Sequence, residues 1–301
     1  MGRPPRRRFV DKGGVSRREN RGVREESVKV PGATLWTETT GHGSEAVVLC
    51  HGGPGLSDNL APVASMIEDR AVVHRYDQRG GGRSTGTAPF FVTDFIDDLE
   101  ALRVHWKHDA WIVGGHSWGG WLAILYAIAH PDRVSGLIGI GVPPPPSAFH
   151  DKYRSERARR LGADELAFFD EINARHRSGE VVLPADERRW LHILWRTEFA
   201  DPDKAPDFDK QPLYVFPANQ DASRNIVEDL DHIAATRDLS AQLRTMTASA
   251  LFLHGRSDPR PAATELIDAL PNSSLVLIPD AGHLPWLENY SAVRTAIRQI
   301  L

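Results

Sequence analysis

Sulfur chemistry is nearly absent from this sequence: Cys50 is its one cysteine, so no intrachain disulfide can form. A single thiol also excludes a cysteine-built zinc or iron–sulfur site within one chain. No metal and no organic cofactor is expected. A chain without disulfides suits a reducing compartment, and a cytoplasmic location is expected, while a disulfide-free secreted protein fits the same count. No run approaches the ~20 consecutive apolar residues of a membrane helix, so no membrane partner is expected. No unit of ~20–50 residues repeats. No phosphate loop of the G-x-x-x-x-G-K-[ST] kind occurs, because "RGGGRS" (79–84) lacks the lysine.

What remains is ordinary globular material: 301 residues, 41% hydrophobic and 25% charged, enough for a large core in one or two domains. Charge is uneven. Residues 1–24 carry eight Arg and one Lys against Asp11 and Glu19, a net of +7, which leaves −11 for the rest of a chain whose total is −4. "RRRFVDK" (6–12) has the arginines of an export signal, but no apolar stretch follows. Residues 1–25 are therefore expected to be a disordered basic tail or an upstream start. Phe9 is its one aromatic residue, too little interleaving with the arginines for base stacking, so nucleic acid is not an expected partner.

Short apolar runs at 27–39, 46–50, 71–76, 110–115, 135–141, 249–255 and 274–279 read as strands buried on both faces. Helical stretches alternate with them. "DFIDDLEALRVHW" (94–106) puts Phe95, Leu99 and Leu102 on one face, with Asp97, Asp98 and Glu100 outside. Residues 120–134 are apolar nearly all round and end at Pro131, which predicts a buried helix. Residues 262–270 and 291–301 predict two more. The alternation predicts an α/β fold with a mainly parallel sheet. Between 143 and 244 the pattern changes: "PPPP" (143–146) stops regular structure, and charged helical segments follow. These residues are expected to form a helical cap inserted into a core of residues 26–142 and 245–301.

"VGGHSWGGW" (113–121) sets Ser117 between glycines where a strand meets a helix. A sharp turn there forces the serine into strained backbone, and Gly115, Gly119 and Gly120 relieve the crowding. A serine hydroxyl is a weak nucleophile near neutral pH and needs a base, an acid to orient the base, and donors for an oxyanion. His283 in "PDAGHLPWLEN" (279–289) is the candidate base. Asp258 in "LHGRSDPRPA" (253–262) is the candidate acid, preferred over Asp280, which lies too near His283 along the chain to reach its far nitrogen. All three follow the C-terminal ends of predicted strands. The loop "LCHGGPGLS" (49–57) offers backbone donors: Gly53, with Gly52 beside it, and Trp118 after the serine. His51 is expected to hold loop structure. Asp77 and Arg79, in "YDQRGGGRST" (76–85), are expected to lock that loop beside the first.

Taken together, "HGGPG" (51–55), "DQRGGGRS" (77–84), "GGHSWGG" (114–120), "GRSD" (255–258) and "AGH" (281–283) resemble the proline iminopeptidase branch of the α/β-hydrolases. The resemblance covers about residues 30–142 and 245–301. It implies an eight-stranded core, a helical cap inserted after the sixth strand, and serine acyl chemistry on a small molecule or short peptide. Peptidases of this branch hold the substrate's free amino terminus with cap glutamates. "WRTE" (195–198) offers Glu198, whereas "KQPLYVF" (210–216) has Lys210 and Gln211 where a second acid is wanted. Trp195, Tyr214 and Trp286, with Trp190, Phe199 and Phe216, are candidates to line an apolar pocket under the cap or to form its core. The resulting expectation is a serine hydrolase of iminopeptidase type. The alternatives are a non-peptidase acyl enzyme acting on an ester, lactone or thioester, and a non-catalytic binding protein on the same fold.

Overall fold

The computed structural model describes residues 22–211 and 215–301. Most of the stretch expected as a tail lies outside them, as does Tyr214. Eight strands form one sheet: β1 (Arg24–Val30), β2 (Ala33–Gly41), β3 (Glu45–Cys50), β4 (Ala71–Tyr76), β5 (Trp111–His116), β6 (Val134–Ile140), β7 (Ser249–Gly255) and β8 (Ser273–Ile278). Their order is β1-β2-β4-β3-β5-β6-β7-β8. β1 pairs antiparallel with β2, and β2 antiparallel with β4; every later pairing is parallel. The run read as one strand over 27–39 is thus a hairpin. Pro31 and Gly32 turn it, with Gly32 at φ +76°.

The helices are α1 (Ala61–Ala64), α2 (Val92–Trp106), α3 (Trp118–Ala129), α4 (Pro146–Arg160), α5 (Ala163–Ser178), α6 (Pro184–Thr197), α7 (Gln220–Thr236), α8 (Leu239–Leu243), α9 (Thr264–Ala269), α10 (Pro285–Glu288) and α11 (Tyr290–Ile297). One face of the sheet packs under α2, α3 and α9 through Leu99, Leu122 and Leu266. The other packs under α1 and α11 through Val63, Val293 and Ile297. Covering both faces explains why the central strands are continuously apolar. α3 is buried almost all round. It ends at Ala129 because Pro131 disfavours helical backbone at the residue before it. Each large apolar side chain buried there contributes about 1.5–3 kcal/mol.

Two details depart from expectation. Asp98 of α2 is buried, because Arg79 reaches it with two hydrogen bonds of 2.7 Å. "PPPP" ends as a helix start rather than a stop: Pro145 precedes α4 and Pro146 opens it, where a missing N–H costs nothing. The insertion after β6 carries α4 to α8. The segment 151–179 is broken into α4 and α5 around Gly162, and α7 is a long helix that the sequence reading did not single out. Among the described residues, no helix is long and apolar enough to cross a membrane.

Candidate active site

The parallel strands end at one edge, and their following loops meet there. β5 ends at His116, and Ser117 follows with φ 53° and ψ −116°, a conformation that an L-residue adopts only under strain. Ser117 N–H donates to Ile140 O at 2.8 Å, which ties the turn to β6. The crowding is backbone against backbone. A Cβ on Gly115 would lie 2.1 Å from Gly119 O, and one on Gly119 would lie 2.0 Å from Cys50 O. Only glycine fits at these two places, and the hydroxyl is pushed out of the sheet edge as a result.

Asp258 follows β7 and His283 follows β8. His283 Nδ1 lies 2.8 Å from Asp258 Oδ2, and the carboxylate must accept, so Nδ1 carries the proton and Nε2 is left as the acceptor. Asp258 Oδ1 accepts from the Arg260 N–H at 2.8 Å. Asp280, the rival acid, is exposed, while the Asp258 side chain is fully buried. Ser117 and His283 line one cavity of about 140 Å³ with Gly52, Gly53, Trp195 and Glu198. Among the described residues no hydrogen bond joins the Ser117 hydroxyl to the ring. Larger hollows of 380 Å³ and 710 Å³ lie elsewhere, and neither is lined by Ser117, Asp258 or His283.

Gly53 has φ +65°, and its carbonyl accepts from the Leu56 N–H at 3.0 Å, so the loop turns back beside Ser117. Trp118 is the first residue of α3, where a helix leaves N–H groups without internal acceptors. His51 is held on both nitrogens: Nδ1–H donates to Gly52 O at 2.8 Å, and Nε2 accepts from Gln78 N–H at 3.0 Å. Gln78 then donates to His51 O at 2.7 Å and accepts from the Trp118 indole at 2.7 Å. Asp77 and Arg79 do not pair with each other. Asp77 takes Arg83 and the Asp58 N–H, and Arg79 takes Asp98.

Several contributors carried no sequence signal of their own. His116 Nε2–H donates to His283 O at 2.9 Å and is neutral, since burial and then His283 hold its pKa well below the usual histidine value. Glu288 takes the Gly282 and Ala200 N–H groups at 2.6 and 2.8 Å, which binds the His283 loop to the insertion. His283 N–H donates to Glu198 O at 2.7 Å. Cys50 is no rival nucleophile: burial pushes its thiol up to about 12.

Of the pocket candidates, Trp195 reaches the cavity, and its indole donates to Pro206 O at 2.7 Å. Trp286 does not line it. Its ring packs edge-on against His116, 4.7 Å between centroids, and Leu284 takes the place in the wall. Trp190 stacks on Phe169 within the insertion, and Phe199 packs against Trp195. Glu198 reaches the cavity but is not free. Its carboxylate accepts from Arg260 and from the Tyr153 hydroxyl. Burial opposes its ionisation, yet Arg260 and His283 outweigh burial and hold its pKa down at about 2. Arg260 correspondingly stays charged despite burial, because Glu198 and Tyr153 raise its pKa.

A family model described as alpha/beta hydrolase fold matches residues 45–290. A proline iminopeptidase from Arabidopsis thaliana is 27% identical over 280 residues, covering 83% of this chain and 72% of that protein. A pimeloyl-[acyl-carrier protein] methyl ester esterase from Nitrosomonas europaea is 28% identical over 265 residues, covering 85% of this chain and 94% of that protein. The solved proline iminopeptidase of Mycobacterium smegmatis matches with a TM-score of 0.64 at 20% identity, covering 92% of this chain and 97% of that one.

Proposed function

The chain belongs to the alpha/beta hydrolase fold family, and from that membership and the loop geometry we propose that it is a serine hydrolase working through an acyl-enzyme. Ser117 attacks the acyl carbon. His283 Nε2 takes the hydroxyl proton and passes it to the leaving group, while Asp258 keeps Nδ1 protonated and stabilises the imidazolium. The N–H groups of Gly53 and Trp118 stabilise the oxyanion. Water or another acceptor then removes the acyl group. The observation that carries this reading is the 2.8 Å bond from His283 to the buried Asp258, with His283 and the strained Ser117 lining one cavity.

A fluorophosphonate tests it. Intact-mass measurement should find one adduct on the wild type and none on Ser117→Ala, whose turnover of activated esters should fall by roughly 10⁶-fold with its fold intact. An unlabelled wild type, or equal labelling of the variant, ends the reading.

The motifs and the iminopeptidases among the relatives support an amide as the scissile bond. The esterase among them supports an ester. The cavity's charges favour an uncharged acyl group over one with a free amino terminus, because Glu198 already has its counter-ion, and this weighs against an iminopeptidase substrate. Prolyl arylamide, simple ester and thioester assayed side by side separate the two.

A further inference from the structure

Glu198 is the one acid among the described residues that line the cavity. Both its oxygens are occupied. Oε2 accepts from Arg260 Nη1, and Oε1 accepts from Arg260 Nη2 at 3.0 Å and from the Tyr153 hydroxyl. The pair is secluded, with side-chain exposures of 14% for Arg260 and 6% for Glu198. The guanidinium also lies over the Tyr153 ring, 4.0 Å from its centroid. The Arg260 backbone is pinned as firmly: its N–H donates to Asp258 Oδ1 at 2.8 Å and its carbonyl accepts from His254 Nε2 at 3.0 Å. The Arg260 backbone is thus fixed beside Asp258, and its guanidinium is held by Glu198 and the Tyr153 hydroxyl and ring.

We propose that Arg260 is a specificity-determining residue that bars acyl groups bearing an α-ammonium and reserves the cavity for uncharged ones. This rests on the acyl-enzyme reading above. An α-ammonium sits two bonds from the reacting carbonyl, so it must enter the cavity with it. There it meets no unpaired carboxylate. To take Glu198 it must displace the guanidinium, which would then be buried without a counter-charge, the costlier half of breaking a buried pair. It also adds a positive charge near the imidazolium that His283 becomes as Ser117 attacks. An uncharged acyl group of the same shape meets neither obstacle.

Matched 4-nitrophenyl esters test this: butyrate, 2-aminobutyrate and hemisuccinate, at pH 6 to 9. At pH 6 the wild type should favour butyrate over 2-aminobutyrate in kcat/KM by roughly 100-fold or more, the scale set by an uncompensated buried charge. The gap should narrow as pH rises past about 8, where an α-amino group loses its proton. Arg260→Gln frees Glu198 and should shrink the pH 6 ratio at least about tenfold; Arg260→Gln with Glu198→Gln should restore it. Equal wild-type rates for butyrate and 2-aminobutyrate at pH 6 overturn the proposal whether or not the variants fold. So does a preference for hemisuccinate over butyrate, which would make Arg260 an anion ligand. Fluorophosphonate labelling of the same preparation separates the cases: a labelled enzyme with equal rates refutes the role of Arg260 alone, and an unlabelled one refutes the acyl-enzyme.

Discussion

Two aspartates compete for one imidazole, and the competition is settled by reach and burial. Asp258 is fully buried, accepts from His283 Nδ1 at 2.8 Å and is itself oriented by the Arg260 N–H. Asp280 is three residues from His283 and faces solvent. Asp258→Asn should lower kcat by roughly 10⁴-fold, because an amide cannot hold the protonated Nδ1 tautomer. Asp280→Asn should leave kcat within about twofold of wild type. Steady-state hydrolysis of an activated ester, with far-UV dichroism as a folding control, distinguishes them. The strand-end positions of Ser117, Asp258 and His283 were legible in the sequence, since each is marked locally: glycines around an elbow, and an acid or a histidine just past an apolar strand. Arg260 was not. An arginine two residues after an aspartate has many ordinary uses, and its partners lie 62 and 107 residues away.

Between elements, the strand-end loops after β3, β4 and β5 are joined by a side-chain relay rather than by backbone pairing. His51, Gln78 and the Trp118 indole form it, and Gln78 satisfies groups from both neighbours. Gln78→Ala should leave His51 O and the Trp118 indole unpaired in a buried setting, at about 1–3 kcal/mol. Urea unfolding should register that loss. Ester turnover should fall as well, since Gly53 and Trp118 flank the relay. The insertion is joined to the core by charge as well as by backbone bonds: Glu198 pairs with Arg260, Glu288 takes the Ala200 N–H, and His283 N–H donates to Glu198 O. The helical nature of the insertion was readable from its charged, strandless pattern. Its contacts were not, because a charged helical surface reads as solvated until a partner faces it.

For the chain as a unit, buried histidines make stability depend on pH. His74 of β4 bonds Thr39 Oγ1 and His108 Nε2, both at 2.9 Å, and stacks on Trp106 at 3.9 Å. Burial first, and His108 second, hold its pKa down at about 3 against an ordinary 6.5. A histidine whose folded pKa is depressed binds fewer protons folded than unfolded. Its contribution is therefore full above about 6.5 and is lost as pH falls toward about 3. At pH 5 the loss relative to pH 7 is about 2 kcal/mol. His116, His108 and His254, also depressed by burial, act in the same direction. Glu198 adds its share later: its contribution is full above about 4.5 and is lost as pH falls through about 2. Denaturant unfolding at pH 7 and pH 5 should show the decline, and His74→Gln should reduce it by about 2 kcal/mol.

Periodicity and turn chemistry alone were enough to settle the class of fold and to place the elbow that carries Ser117. Apolar runs need both faces covered, and a strand-to-helix elbow needs glycines whatever surrounds it. Those requirements are local, so they are written in consecutive residues. They did not resolve the β1–β2 hairpin, the burial of Asp98, the withdrawal of Trp286 from the cavity wall or the occupation of Glu198. Each of these depends on which distant group comes to lie opposite: Arg79 for Asp98, His116 for Trp286, Arg260 and Tyr153 for Glu198. A side chain's charge partner is a property of the folded arrangement, and here that partner separates an amine-binding glutamate from a neutralised one.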